Sequence, residues 1–256
     1  MKKLLLFIAF SILSSIGLYA QYDKYMEIGA VYTPQVTSIL TPSHSHPIYQ
    51  NRLTFAGAGG LTFSYNFNKN FGLQTGLLYS SHNQKFRSEI REGDGGTFES
   101  TGKKRLDYLN LPLLVKLNFP FAYKRRISTT VYFGPQIGYL LKGDGAVVVW
   151  RHFDNHDFYD LPESNSDYYN RFVLDGVAGF GFEYRVSRFI TLHTSIRAEF
   201  SLTDIENKDM PYRENDLFYY FGDPDRGSTH NLAIGIQFGV AYRFNPECLT
   251  CPSLRW

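Results

Sequence analysis

The sequence predicts an all-β fold, an eight-stranded antiparallel up-and-down transmembrane β-barrel, and three observations predict it. Apolar residues recur with a period of two. The segments carrying this pattern have the length of a tilted strand that crosses a bilayer, and the connections between them alternate short and long.

The N-terminus comes first in the argument because it sets the compartment. Lys2 and Lys3 precede an apolar run that closes with Leu18-Tyr19-Ala20. This is the pattern of a secretory signal peptide over residues 1–20, cleaved between Ala20 and Gln21. The run is too short for a helical span. No Cys follows the cleavage site, so a lipid-anchored N-terminus is not expected. The barrel is expected over residues 21–244, followed by a periplasmic tail over residues 245–256.

Eight strands follow in order, over residues 25–35, 55–67, 71–82, 108–117, 129–141, 174–184, 190–200 and 231–244. The last has the cleanest alternation. Leu232, Ile234, Ile236, Phe238, Val240, Tyr242 and Phe244 share one face, and Asn231, Ala233, Gly235, Gln237, Gly239, Ala241 and Arg243 share the other. Small and polar residues on the second face fit a narrow lumen better than the solvent side of a soluble sandwich. Strand 190–200 repeats the pattern, with His193, Ser195, Arg197 and Glu199 on its polar face. In strand 108–117 the outward face is aliphatic throughout, and Tyr108, Asn110, Pro112, Leu114 and Lys116 point inward.

Connections 68–70, 120–127 and 185–188 are short, whereas 36–54, 85–105, 142–173 and 201–230 are long and polar. An even strand number returns both termini to the side of the short turns, which places those turns in the periplasm and the long loops outside the cell. Charge divides the same way. The short turns carry Lys69, Lys124, Arg125, Arg126, Arg185 and Arg188 and no acid, while the last loop carries Asp204, Glu206, Asp209, Glu214, Asp216, Asp223 and Asp225. Those acids suit either a solvated rim or cation bridging to surface lipopolysaccharide.

Composition excludes several classes. Once Lys2 and Lys3 leave the 26 basic side chains, the remainder balances the 24 acidic ones, so nucleic acid is not an expected partner. Aromatic residues make up 17% of the chain, a bias that suits pleated surfaces and membrane interfaces. No apolar stretch after residue 20 approaches the length of a helical span, so only a closed barrel could cross lipid.

Tyr108-Leu109-Asn110-Leu111-Pro112-Leu113-Leu114, Gly134-Pro135-Gln136-Ile137-Gly138-Tyr139 and the stretch 176–184 resemble the PorT-like outer-membrane β-barrel family of Bacteroidetes, over roughly residues 25–244. The resemblance implies a shared architecture, one of whose members assists protein secretion, and secretion-system proteins as partners. Gln237, Gly239, Tyr242 and Phe244 are similar to the terminal signal read by the barrel-assembly machinery, although residues 245–256 follow it.

Four constellations bear on chemistry. His193, Ser195 and Glu199 share a face, as a lipid hydrolase would need, but that face is the expected lumen. There Glu27, Lys116, Glu183, His193, Arg197, Glu199 and Arg243 read instead as an ion-paired filling network, since buried charges need partners. Cys248 and Cys251 form a C-x-x-C pair in a proline-containing tail, which in an oxidising compartment reads as a local disulfide or an inert pair. His152, Asp154, His156 and Asp157, and separately His44 and His46, lie in loops with no rigid scaffold for a metal. No phosphate loop, zinc-protease motif or cofactor fingerprint is present.

These readings point to a non-enzymatic surface or scaffold protein that contacts outer-membrane lipid, lipopolysaccharide or a secretion component. The alternatives are a lipid-modifying enzyme and a narrow pore or small-ligand carrier. Eight strands leave a bore filled by side chains, which disfavours a general porin.

Overall fold

The computed structural model describes residues 24–40, 50–91, 97–121, 126–151, 158–163, 166–207 and 227–244. In chain order its strands are β1 (Tyr25–Leu40), β2 (Gln50–Arg52), β3 (Thr54–Asn66), β4 (Phe71–Arg91), β5 (Thr97–Pro120), β6 (Ile127–Arg151), β7 (Phe158–Glu163), β8 (Phe172–Arg185), β9 (Ile190–Ser201) and β10 (His230–Phe244). A 3-10 turn spans Ser166–Tyr168.

Eight of these strands close on themselves in the order β1, β3, β4, β5, β6, β8, β9, β10, every neighbour antiparallel. The first strand meets the last along Glu27↔Arg243, Tyr32↔Phe238 and Thr37↔Ala233, so the wall has no free edge along its circumference. Alternation fixes the register. On β10 Asn231, Ala233, Gln237 and Ala241 are buried in the lumen, and Ile234, Ile236, Phe238, Val240 and Tyr242 are exposed on the outside. A slip of one residue would put every polar group into lipid.

Of the four prolines within barrel strands, Pro120 ends β5 and stays paired with Ser128, and the other three each coincide with a break in one ladder. Pairing of β1 with β10 skips from Tyr32 to Gln35 past Pro34, and pairing of β4 with β5 skips the residues opposite Gly76 and Leu77, where Pro112 sits. Pairing of β5 with β6 skips from Pro112 to Val115, opposite Pro135. A proline has no N–H to give, so each of these ladders lapses at the missing donor while the opposite ladder of the same strand continues.

The structure corrects the expected boundaries at the end opposite the short turns. Strands β4, β5 and β6 run for 21, 24 and 25 residues, well past the 9–11 or so that cross hydrocarbon. Pairing of β4 with β5 continues to Arg91↔Thr97 and that of β5 with β6 to Phe98↔Arg151. Much of the stretches expected as loops over 85–105 and 142–173 is therefore continuous sheet, flanked by β2 on β4 and β7 on β6. Likewise β1 extends to Leu40 rather than ending at Gln35. Beyond the membrane neither face of a strand meets lipid, so the period-two signal fades although the backbone ladder goes on.

The signal cleavage site Ala20 and Gln21, the Cys248 and Cys251 pair, and the loop groups His44, His46, His152, Asp154, His156 and Asp157 lie outside the described residues.

Candidate functional site

The lumen is the part of the molecule where polar chemistry is concentrated, and it is built in three tiers. Nearest the short turns, Lys116 of β5 is 2% exposed and bridges two carboxylates. Its Nζ donates to Glu27 Oε2 at 3.0 Å and lies 2.6 Å from Glu183 Oε1. Arg243 donates from Nε and Nη2 to Glu27 Oε1 at 3.0 and 2.8 Å, and its guanidinium lies 3.9 Å over the Tyr25 ring. His193 Nδ1 is 3.1 Å from Glu183 Oε1.

Strand pairing supplies this geometry directly. Glu27 faces Arg243 across β1 and β10, and Glu183 faces His193 across β8 and β9. Lys116 comes from another part of the wall and ties the two pairs together. Glu27 and Glu183 are set against Lys116 and Arg243, two carboxylates against two cations, which is how charge can stay inside a barrel.

The middle tier centres on Arg197. Its Nε donates to Glu199 Oε1 at 2.6 Å and its Nη2 to Gln136 Oε1 at 2.7 Å. Gln136 Nε2 in turn donates to Asp175 Oδ2 at 3.2 Å and to Glu199 Oε2 at 3.3 Å, and Ser201 Oγ donates to Asp175 Oδ1 at 2.7 Å. Beside it Tyr132 crosses the lumen, donating to Gln237 Oε1 at 2.8 Å with Ser195 Oγ 3.0 Å away. Tyr132 is paired with Gly179 on β8, and a Cβ there would overlap the phenol ring. Glycine at 179 is what lets the ring lie flat against the neighbouring strand.

The outer mouth is closed by hydrocarbon. Ile39, Leu106, Tyr108, Leu140, Tyr169, Val173 and Ile205 form one buried cluster, with Leu106 and Ile205 at 0% exposure. Ile205 is not on a barrel strand; it is carried inward by the segment after β9. Its N–H donates to Thr229 O at 3.0 Å, its carbonyl accepts from Asn170 N at 2.9 Å, and Thr229 Oγ1 donates to Glu206 Oε2 at 3.0 Å. Asp204 Oδ1 accepts from the N–H groups of Glu206 and Thr229. Of the acids expected on a lipopolysaccharide-facing rim, Asp204 and Glu206 therefore brace the plug, and the other five lie outside the described residues.

The structure divides the network expected from sequence. Glu27, Lys116, Glu183, His193 and Arg243 form one tier, and Arg197 with Glu199 belongs to the next. His193, Ser195 and Glu199 are each bonded to another group, namely Glu183, Tyr132 and Arg197. Gln136, Asp175 and Tyr132 escaped the sequence reading. Gln136 and Asp175 sit in the inward phase of their strands, a signal available in the alternation itself. Tyr132 shares that phase, but an aromatic residue in a barrel strand is ordinarily assigned to lipid.

Along the assembly-signal stretch Gln237 points inward, and Tyr242 points outward, stacked on Phe189 at 5.7 Å and tilted against Phe244 at 5.9 Å. A Cβ at Gly239 would press on Val31 across the ladder. Among the described residues no group of three His, Cys, Asp or Glu side chains is placed to hold a metal.

Residues 21–207 match the family described as outer membrane protein beta-barrel domain. No curated protein sequence matches the chain significantly. Among solved structures, the chain is similar to Ail, the attachment invasion locus protein of Yersinia pestis, crystallised with the heparin analogue sucrose octasulfate. The two share 9% identity and a TM-score of 0.33, covering 86% of this chain and 99% of that one. For OprG of Pseudomonas aeruginosa the values are 11% and 0.37, with 87% and 96% covered. For Neisserial surface protein A they are 9% and 0.38, with 86% and 97% covered. Likeness at these values says nothing about activity.

Proposed function

We propose that this chain, which belongs to the outer membrane protein beta-barrel domain family and lies in the outer membrane, is a non-enzymatic scaffold that works through its external surface. The observation that carries this reading is the contrast between the bore and the strands around it. The bore is crossed by ion pairs and hydrogen bonds that leave only a small polar cavity between Lys116, Tyr132, His193 and Gln237, and an apolar plug closes its outer mouth. Strands β4, β5 and β6 continue far beyond the hydrocarbon layer as paired sheet: 24 residues of β5 amount to roughly 80 Å of strand, against a hydrocarbon layer of about 30 Å. A rigid, raised sheet is costly to order unless it presents something, and loops on a rigid scaffold are where binding concentrates.

Its partner is a surface or secretion-associated protein, in keeping with the PorT-like motifs on β5, β6 and β8. Cross-linking on intact cells, followed by pull-down of the tagged full chain, tests this. A defined set of proteins should be recovered, and it should be lost when the hairpin over residues 86–102 is shortened to a tight turn. An empty recovery, or an unchanged set from the shortened variant, contradicts the reading.

The rival, a lipid-modifying enzyme, has less support because Ser195 and His193 are each bonded elsewhere. A narrow pore or small-ligand carrier has less support because the outer mouth is closed by the Ile205 plug.

A further inference from the structure

The positive charge at the end with the short turns has no role in the scaffold reading and does not depend on it. Lys69, Arg126, Arg185 and Arg188 are all exposed there. Three of them are neighbours on one arc of the rim. The Arg185 N–H donates to Arg126 O at 2.8 Å, and the Arg243 N–H donates to Phe189 O at 2.7 Å, which joins the ends of β6, β8, β9 and β10. Among the described residues, Glu27 and Glu183 are the carboxylates of the strand ends beside this arc, and both point into the lumen and are bonded to Lys116. Among the described residues of these turns, no acidic side chain faces outward.

The arc also has a defined depth. Phe121 lies just before the turn that carries Arg126, Tyr184 precedes Arg185, Phe189 follows Arg188, and Tyr242 stacks on Phe189. All four rings are exposed on the outer wall. Rings of this kind settle at the headgroup boundary of a bilayer. The guanidinium groups beside them are thereby held level with lipid phosphates, to which arginine can donate two parallel hydrogen bonds.

We propose that this arc binds the headgroups of anionic phospholipids in the inner, periplasmic leaflet of the outer membrane. A soluble acidic partner would approach the rim end-on, away from the aromatic belt. A phosphodiester in the leaflet meets cations and rings together.

The test uses the full-length protein refolded in phosphatidylcholine vesicles that contain a minor fraction of spin-labelled phosphatidylglycerol or spin-labelled phosphatidylcholine. Electron paramagnetic resonance then gives the relative association of each lipid with the barrel wall. The wild type should prefer phosphatidylglycerol roughly fivefold or more, the gain expected of one or a few basic groups at an anionic headgroup. The preference should vanish in the K69Q/R126Q/R185Q/R188Q variant and in high salt, and persist in K103Q/K142Q/R171Q, which removes exposed cations from the opposite end. Equal association of both lipids with the wild type, or a full preference in the quadruple variant, overturns the proposal. So does an equal loss in the opposite-end variant. If the quadruple variant does not fold, judged by heat-shifted electrophoretic migration, R126Q and R188Q are examined singly. Each should lower the preference, and an unchanged value in both overturns the proposal equally.

Discussion

The two ends of the lumen solve one packing problem with opposite chemistry. Near the periplasm the bore is occupied by Glu27, Lys116, Glu183, His193 and Arg243, held by strand register across the β1–β10 and β8–β9 pairs and joined by Lys116 of β5. At the outer mouth it is filled by Leu106, Tyr108, Ile205 and their neighbours, two of which, Tyr169 and Ile205, are delivered by segments outside the barrel strands. Burying ion pairs costs desolvation that their attraction only partly offsets, so the lower tier contributes more to the choice of register and closure than to net stability. Burying hydrocarbon stabilises outright, by about 25 cal/mol per Å². The lesson is that one barrel keeps a specifying end and a stabilising end.

The comparison is broken most severely at Lys116. Lys116→Met leaves Glu27 and Glu183 facing each other without their shared cation, and should lower unfolding stability in vesicles by about 3–5 kcal/mol, read from the urea midpoint. The double variant Lys116→Met with Glu183→Gln should recover most of the loss, because Glu27 keeps Arg243. No recovery would mean that the lysine acts through packing rather than charge.

At the other end Leu106→Ala should cost about 3 kcal/mol through lost burial and the cavity left behind, with no dependence on the Lys116 background. Coupling between the two would show that the tiers are not independent.

Much of this architecture was legible in the alternation. The strand 231–244 and the inward placement of Lys116, Arg197 and Glu199 follow from a period of two, because lipid on one side and a narrow lumen on the other impose opposite polarity. The tall part of β4, β5 and β6 was not legible, since outside the membrane neither face is constrained to be apolar. Nor was the plug. Ile205 sits in a polar loop, Ser201-Leu202-Thr203-Asp204-Ile205-Glu206, and nothing local distinguishes a loop that folds into the mouth from one that stays in water. The division into tiers depends on which strands face each other across the bore, and that is fixed by shear, which composition does not encode.

Smaller effects sharpen the picture within the middle tier. Gly179→Ala should push the Tyr132 ring off its strand and cost about 2 kcal/mol by overpacking, visible as a lower urea midpoint with unchanged membrane insertion. Ser195→Ala should cost about 1 kcal/mol at most, the worth of one hydrogen bond. Under the scaffold reading it leaves the lipid A profile of the cell unchanged. An altered profile would restore the enzymatic alternative.

The central claim is that the bore is filled and that the molecule works from its outside. Single-channel recording of the purified wild-type barrel in a planar bilayer tests it most directly. The account predicts silence at moderate voltage, and steady, reproducible conductance steps would contradict it.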